Sequence, residues 1–186
     1  MLPIFVESYA DLNKIKKVVE DLARVSPLVN EDNAPKTVVL NHIREAWNRV
    51  FVAGFAAEIE KTYTGMENVI TKILRYTDSS VPTGNDGHKR LIDISALSIP
   101  GSRPPVCSEK TAMNLHKLRV FRHKIRHTYE IDLDLKIVRE MVGTVNNAYF
   151  GLIEDIIKFH KCVEPTVSEQ HLNQATENLV RSTRTR

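Results

Sequence analysis

The sequence predicts an all-α fold, an antiparallel helical bundle, and three observations carry that expectation. Apolar residues recur at steps of three and four over long stretches, the spacing that lines one face of a helix. Sustained two-residue alternation is nearly absent, and the Asp86-Gly87 pair runs into His-Lys-Arg with no β-rich segments to join into a hairpin. Polar, Pro-rich or Gly-rich stretches separate the periodic segments and serve as loops. At 186 residues, 42% of them hydrophobic, the chain fits one domain with a real core.

Taken in order, Asp11 to Val25 reads as a first helix, ended by Pro27 and the polar loop Asn30 to Pro35. A second helix begins near Lys36 and continues to Tyr76, with Val39, Ile43, Trp47, Val50, Gly54 and Ala57 on one face. Met66, Ile70, Ile73 and Leu74 extend that face, and Gly54 and Gly65 are candidate sites of a bend or a close helix contact. Asp78 to Asp86 reads as a polar loop, and a short helix runs from about His88 to Leu97. After the breaker-rich Pro100-Gly-Ser-Arg-Pro-Pro105, Ser108 or Glu109 opens a fourth helix. The clearest stripe is Val138, Met141, Val142, Val145, Tyr149, Leu152, Ile153, Ile156 and His160, a helix that Asp132 or Asp134 can cap. Residues 1–162 are expected as one helical domain, and 163–186 as a polar, mobile tail with a weak helix over His171 to Leu179.

Composition excludes several classes. No apolar run approaches the roughly 18 to 20 residues that span a bilayer. The N-terminal stretch lacks the basic region and small-residue cleavage pattern of a signal peptide, so a cytoplasmic protein is expected. Cys107 and Cys162 are too few and too far apart for a disulfide framework. A net charge of +3 is mild and does not by itself imply nucleic-acid binding.

Local charge is more informative. From Thr111 to Tyr129 the chain carries five Lys/Arg and three His with no carboxylate. Within it, Arg122-His123-Lys124-Ile125-Arg126-His127-Thr128-Tyr129 combines a guanidinium, an imidazole and a phenol, the groups phosphodiester chemistry needs. RNA cleavage is therefore the leading reading. An Arg-x4-His pair alone is weak, since about 0.5 are expected by chance in this composition. The other reading of Lys117, Arg119, Arg122, Lys124 and Arg126 is a solvated helix face, whose cations gain from the helix dipole. On a regular helix positions 122 and 127 lie about 140° apart. For both to meet one phosphate, the helix must end or loosen near His127, or a second copy must complete the site. His123 and His127 are spaced for a metal, but no third ligand is evident and the flanking cations repel a dication, so neither a metal nor a cofactor is expected. His160 and Cys162 lack partners in sequence and read as structural.

These residues resemble the HEPN-domain family, and within it the HepT-like branch. The resemblance rests on Arg122-x4-His127 followed by Tyr129, on Tyr63-Thr-Gly-Met-Glu67, on the Pro82-Thr-Gly-Asn…His88 loop and on Ile99-Pro-Gly-Ser-Arg-Pro104. It spans roughly Trp47 to Lys161; at Gly87, before His88, the branch would carry an aromatic. The resemblance implies an all-α bundle that forms a homodimer or higher oligomer, with two motifs lining one cleft, and a metal-independent endoribonuclease toxin acting on tRNA or mRNA. It makes Arg122 and His127 the catalytic pair and His123 their support. It gives Arg119, Lys124 and Arg126 to RNA binding, although Arg126 also fits a surface ion pair. It further implies a nucleotidyltransferase antitoxin, which can transfer AMP to Tyr129; the other reading of Tyr129 is a phenol packed at the helix end. A catalytically silent HEPN scaffold that binds nucleotide or a nucleotidyltransferase stays open, as does a metal-binding helical module.

Overall fold

Pro3 begins the first helix, eight residues earlier than the sequence suggested. Proline at this position has its φ preset for a helix and lacks only an N–H that would be unpaired there. Phe5, Tyr9 and Leu12 then extend the buried stripe of Ile15, Val19 and Leu22 back toward the N-terminus. The computed structural model describes residues 1–28, 41–78, 80–84, 86–127 and 135–180, apart from the side chains of 41–48, 127, 178 and 180. Within these, six helices follow one another: α1 (Pro3–Val25), α2 (Asn41–Asp78), α3 (Gly87–Ser95), α4 (Glu109–His127), α5 (Leu135–Val163) and α6 (Glu169–Val180). A 3-10 turn at Ser26–Leu28 ends α1. The fold is all-α; among the described residues the only β pairing is an isolated bridge between Ile99 and Arg103. The loop Asn30 to Pro35, the start of α2 near Lys36 and the Asp132 or Asp134 cap lie outside the described residues.

α5 packs against α1, α2 and α4, and its whole predicted stripe from Val138 to His160 is buried. His160 closes the stripe as a structural group. Its ring stacks on Phe5 at 3.8 Å between centroids, and its nitrogens pair with Tyr9 Oη at 2.9 Å and Glu164 Oε2 at 3.0 Å. Burial holds the His160 pKa below the ordinary value, with Glu164 pulling the other way. Cys162, two residues on, is exposed, whereas Cys107 is enclosed and its thiol is pushed up to about 12 by burial.

The helix expected over His171 to Leu179 is present, slightly longer, and it is packed against the core. Residues 169–180 form α6, which packs on α1 through buried Leu172, Thr176 and Leu179. Three apolar or β-branched residues at helical spacing are enough to hold an otherwise polar helix to a core. No described helix is long and apolar enough to cross a membrane.

Two polar clasps set the position of α4. Arg103, almost fully buried, spans the α3–α4 loop: Nε and Nη2 meet both oxygens of Asp78 at 2.5 and 2.7 Å. Its remaining donors reach the carbonyls of Ile94, Leu97 and Pro104. The same loop turns at Gly101, whose φ of 73° favours glycine. The second clasp is Asp155 of α5. Its Oδ2 accepts from the Ser108 backbone N–H and hydroxyl, each at 2.8 Å, and from Thr111 Oγ1 at 2.6 Å. Ser108 in turn accepts from the Thr111 N–H, the N-cap bond that opens α4.

Candidate active site

On α4, Leu115, Leu118 and Phe121 face the core. Arg119, Arg122, His123 and Arg126 follow at steps of three and four, so one neighbouring face carries all of them. That face borders a cleft of about 400 Å³, closed on its other side by His88 and Lys89 of α3, with Asp86 at the α3 start. Lys124, exposed, is not among the cleft's residues.

Along the sequence this basic run has no carboxylate, but the fold brings several to its side chains. Asp93 of α3 meets His116 Nε2 at 2.9 Å. α2 contributes Glu60, Tyr63 and Glu67, spaced to share one face. Arg122 directs Nη1 to Glu67 Oε2 at 3.1 Å and Nε to Glu60 Oε1 at 3.4 Å, and its guanidinium carbon lies 5.7 Å from the centre of the Tyr63 ring. Arg126 does form an ion pair, with Nε 2.5 Å from Glu60 Oε1. Glu67 is only 4% exposed, and a carboxylate so placed needs partners for its lone pairs. It has three: Arg122, the Tyr63 hydroxyl, which donates to Oε1, and His88 Nδ1, 2.9 Å from that same oxygen. Burial raises the Tyr63 pKa, Glu67 adds to the rise, and Arg122 and Arg119 offset part of it. The phenol thus remains a proton donor to Glu67.

A guanidinium carries five N–H donors. Two from Arg122 are spent on glutamates, which fix its plane and leave donors for an anion in the cleft. Arg119 has its buried Nε without a hydrogen-bond partner among the described residues.

α4 is helical through His127, and the stretch just beyond it, where the helix was expected to end, lies outside the described residues. Around the α4 axis, positions 122 and 127 are about 140° apart. The His127 side chain and all of Tyr129 lie outside the described residues. Among those described, no three His, Cys, Asp or Glu side chains are grouped to hold a metal ion.

The sequence reading named Tyr63, Glu67 and His88 only within stretches that carry the resemblance, with no role, and did not single out Glu60 or Lys89. A signal was present for Glu60, Tyr63 and Glu67: charged and phenolic groups at steps of three and four beside the apolar stripe of Ile59, Met66 and Ile70. The groups they would pair with could not be read from spacing alone.

Fold and cleft together define a helical-bundle protein whose motif helix presents a basic, glutamate-braced face to a concave surface. A family model described as "HepT-like protein" matches residues 54–163, more than half of the chain and all of the cleft. The chain belongs to the HepT-like family. No curated protein and no solved structure matches it.

Proposed function

We propose that this protein is a metal-independent endoribonuclease, the toxin of a toxin–antitoxin pair acting in the cytoplasm. The observation that carries the reading is Arg122, braced by Glu60 and Glu67, at a cleft it shares with Arg119, His123 and Arg126. Family membership supports the same chemistry.

In this mechanism the ribose 2′-OH attacks the adjacent phosphate, leaving a 2′,3′-cyclic phosphate and a 5′-OH. Arg122 stabilises charge growing on the phosphorane oxygens, with its planar fork matched to phosphate. His127 transfers protons, since an imidazole titrates near working pH. A homodimer answers the 140° divergence by placing one copy's His127 across a shared cleft from the other copy's Arg122. His123, Arg119 and Arg126 hold the RNA backbone, and Lys124 contributes from outside the cleft. A nucleotidyltransferase antitoxin transferring AMP to Tyr129 would block the cleft by charge and bulk.

A second reading has its own support. The ion pairs of Arg122 with Glu60 and Glu67 also suit a silent scaffold in which the arginine only ties α4 to α2.

Purified tRNA incubated in EDTA with wild type, Arg122→Ala and His127→Ala decides between them, with new 3′ ends identified by mass. The expected result is cyclic-phosphate ends from wild type, with rates lower by about 10²–10³-fold without Arg122 and 10²–10⁴-fold without His127. Cleavage that persists in both variants overturns the assignment. A wild type that cleaves neither tRNA nor total RNA leaves the scaffold.

A further inference from the structure

The cleft holds a histidine from α3, His88, as well as His123 of the motif helix. His88 places Nδ1 2.9 Å from Glu67 Oε1, while its side chain is 56% exposed. Glu67 receives a hydroxyl proton from Tyr63 on that oxygen and a guanidinium on the other, so it acts here as an acceptor. In its neutral form the ring then carries its proton on Nδ1 and its lone pair on Nε2. A carboxylate that fixes the tautomer and leaves the far nitrogen basic is how a general base is oriented.

Position strengthens the point. His88 and Arg122 grip opposite oxygens of a single carboxylate and line the same cleft. A phosphate held by Arg122 in this cleft would thus share it with His88 of the same chain.

We infer that His88 is a second proton-transfer residue of the cleft, the base for the ribose 2′-OH. The inference rests on the ribonuclease reading and adds to it. The 2′-OH proton passes to His88 Nε2 as the 2′ oxygen bonds to phosphorus. The bond from phosphorus to the 5′ oxygen breaks, and that oxygen takes a proton from the His127 imidazolium. Exchange with water then restores both rings. Glu67 is a positioning residue: it holds His88 and Arg122 in register and touches no substrate.

The groups that set the titration of this site come from three helices. α2 contributes Glu67, Tyr63 and Arg75, and α3 contributes Asp86 and Lys89. From α4 come Arg119, Arg122, His123 and Arg126.

The test compares wild type, His88→Gln, His88→Ala and Arg122→Ala on tRNA in EDTA, reading kcat, KM and the pH profile, with helical circular dichroism recorded for each. His88→Gln is expected to lower kcat by about 10²–10³-fold with KM little changed, and to lose the acid limb of the profile. Added imidazole should restore part of the His88→Ala rate, which a merely structural role would not allow. A His88→Gln enzyme with the wild-type kcat and pH profile overturns the inference and leaves the ribonuclease reading standing. A loss in His88→Ala that imidazole does not relieve, with the acid limb still present in His88→Gln, also overturns it. A wild type no more active than Arg122→Ala overturns the ribonuclease reading itself.

Discussion

Glu67 shows how much of this site depends on one side chain. Its two oxygens join a phenol, an imidazole and a guanidinium drawn from three helices. None of this was visible from the motif, because the glutamates that brace Arg122 and Arg126 lie 55 to 66 residues upstream. The basic side of the cleft was legible, since a step of three or four on one helix fixes a shared face. Arg103 makes a comparable tie outside the cleft. Its side chain is 1% exposed and meets Asp78 through two bonds, so Arg103→Ala leaves a nearly buried carboxylate uncompensated. The expected cost is about 3–5 kcal/mol at neutral pH, read from the urea midpoint. The Arg103 bonds hold the Asp78 pKa below its ordinary value, while burial opposes them. A depressed carboxylate stabilises fully above its unfolded pKa of about 3.9 and loses that contribution as pH falls further. The gap between wild type and variant should therefore narrow from pH 5 to pH 3.

Among the elements, α4 and α5 followed their sequence patterns closely, one opened by Ser108 and the other marked by its apolar stripe. α1 was longer than expected because its first turns mix polar Glu7 and Ser8 with the buried Phe5 and Tyr9, which blurs the period. α2 separates two glycines that looked alike in sequence. A Cβ on Gly65 would lie 2.7 Å from Ile15 Cδ1 and 2.9 Å from Ile15 Cγ1, so α1 and α2 meet closely there. At Gly54 nothing described lies within 4 Å. Spacing cannot distinguish these cases, because the neighbour belongs to another helix. Gly65→Val should destabilise the protein by about 1–3 kcal/mol through overpacking against Ile15. Gly54→Ala should stabilise it by about 0.5–1 kcal/mol through helix propensity. Chemical denaturation of the two variants, run side by side, checks both signs.

For the molecule as a whole, composition and periodicity were enough for an all-α bundle, whereas the share of α6 in the core depended on a few residues in a polar segment. Leu172 and Leu179 are buried, and α6 rests on the same α1 that closes over α2 and α5. Ending the chain after Val167 should cost about 3–6 kcal/mol from those two leucines. A thermal transition unchanged by that truncation would show that α6 adds nothing to the fold. The Asp155 clasp has a further consequence when the chain is viewed in time. The residues lining the cleft, and the glutamates that brace it, precede Asp155 in the chain and are synthesised before it. The carboxylate that ties down the first turn of α4 therefore emerges after the arginines it helps to seat. A chain made only as far as Tyr129 already carries the basic motif and its glutamates but not the Asp155 clasp, so the working face is completed only once α5 has been made.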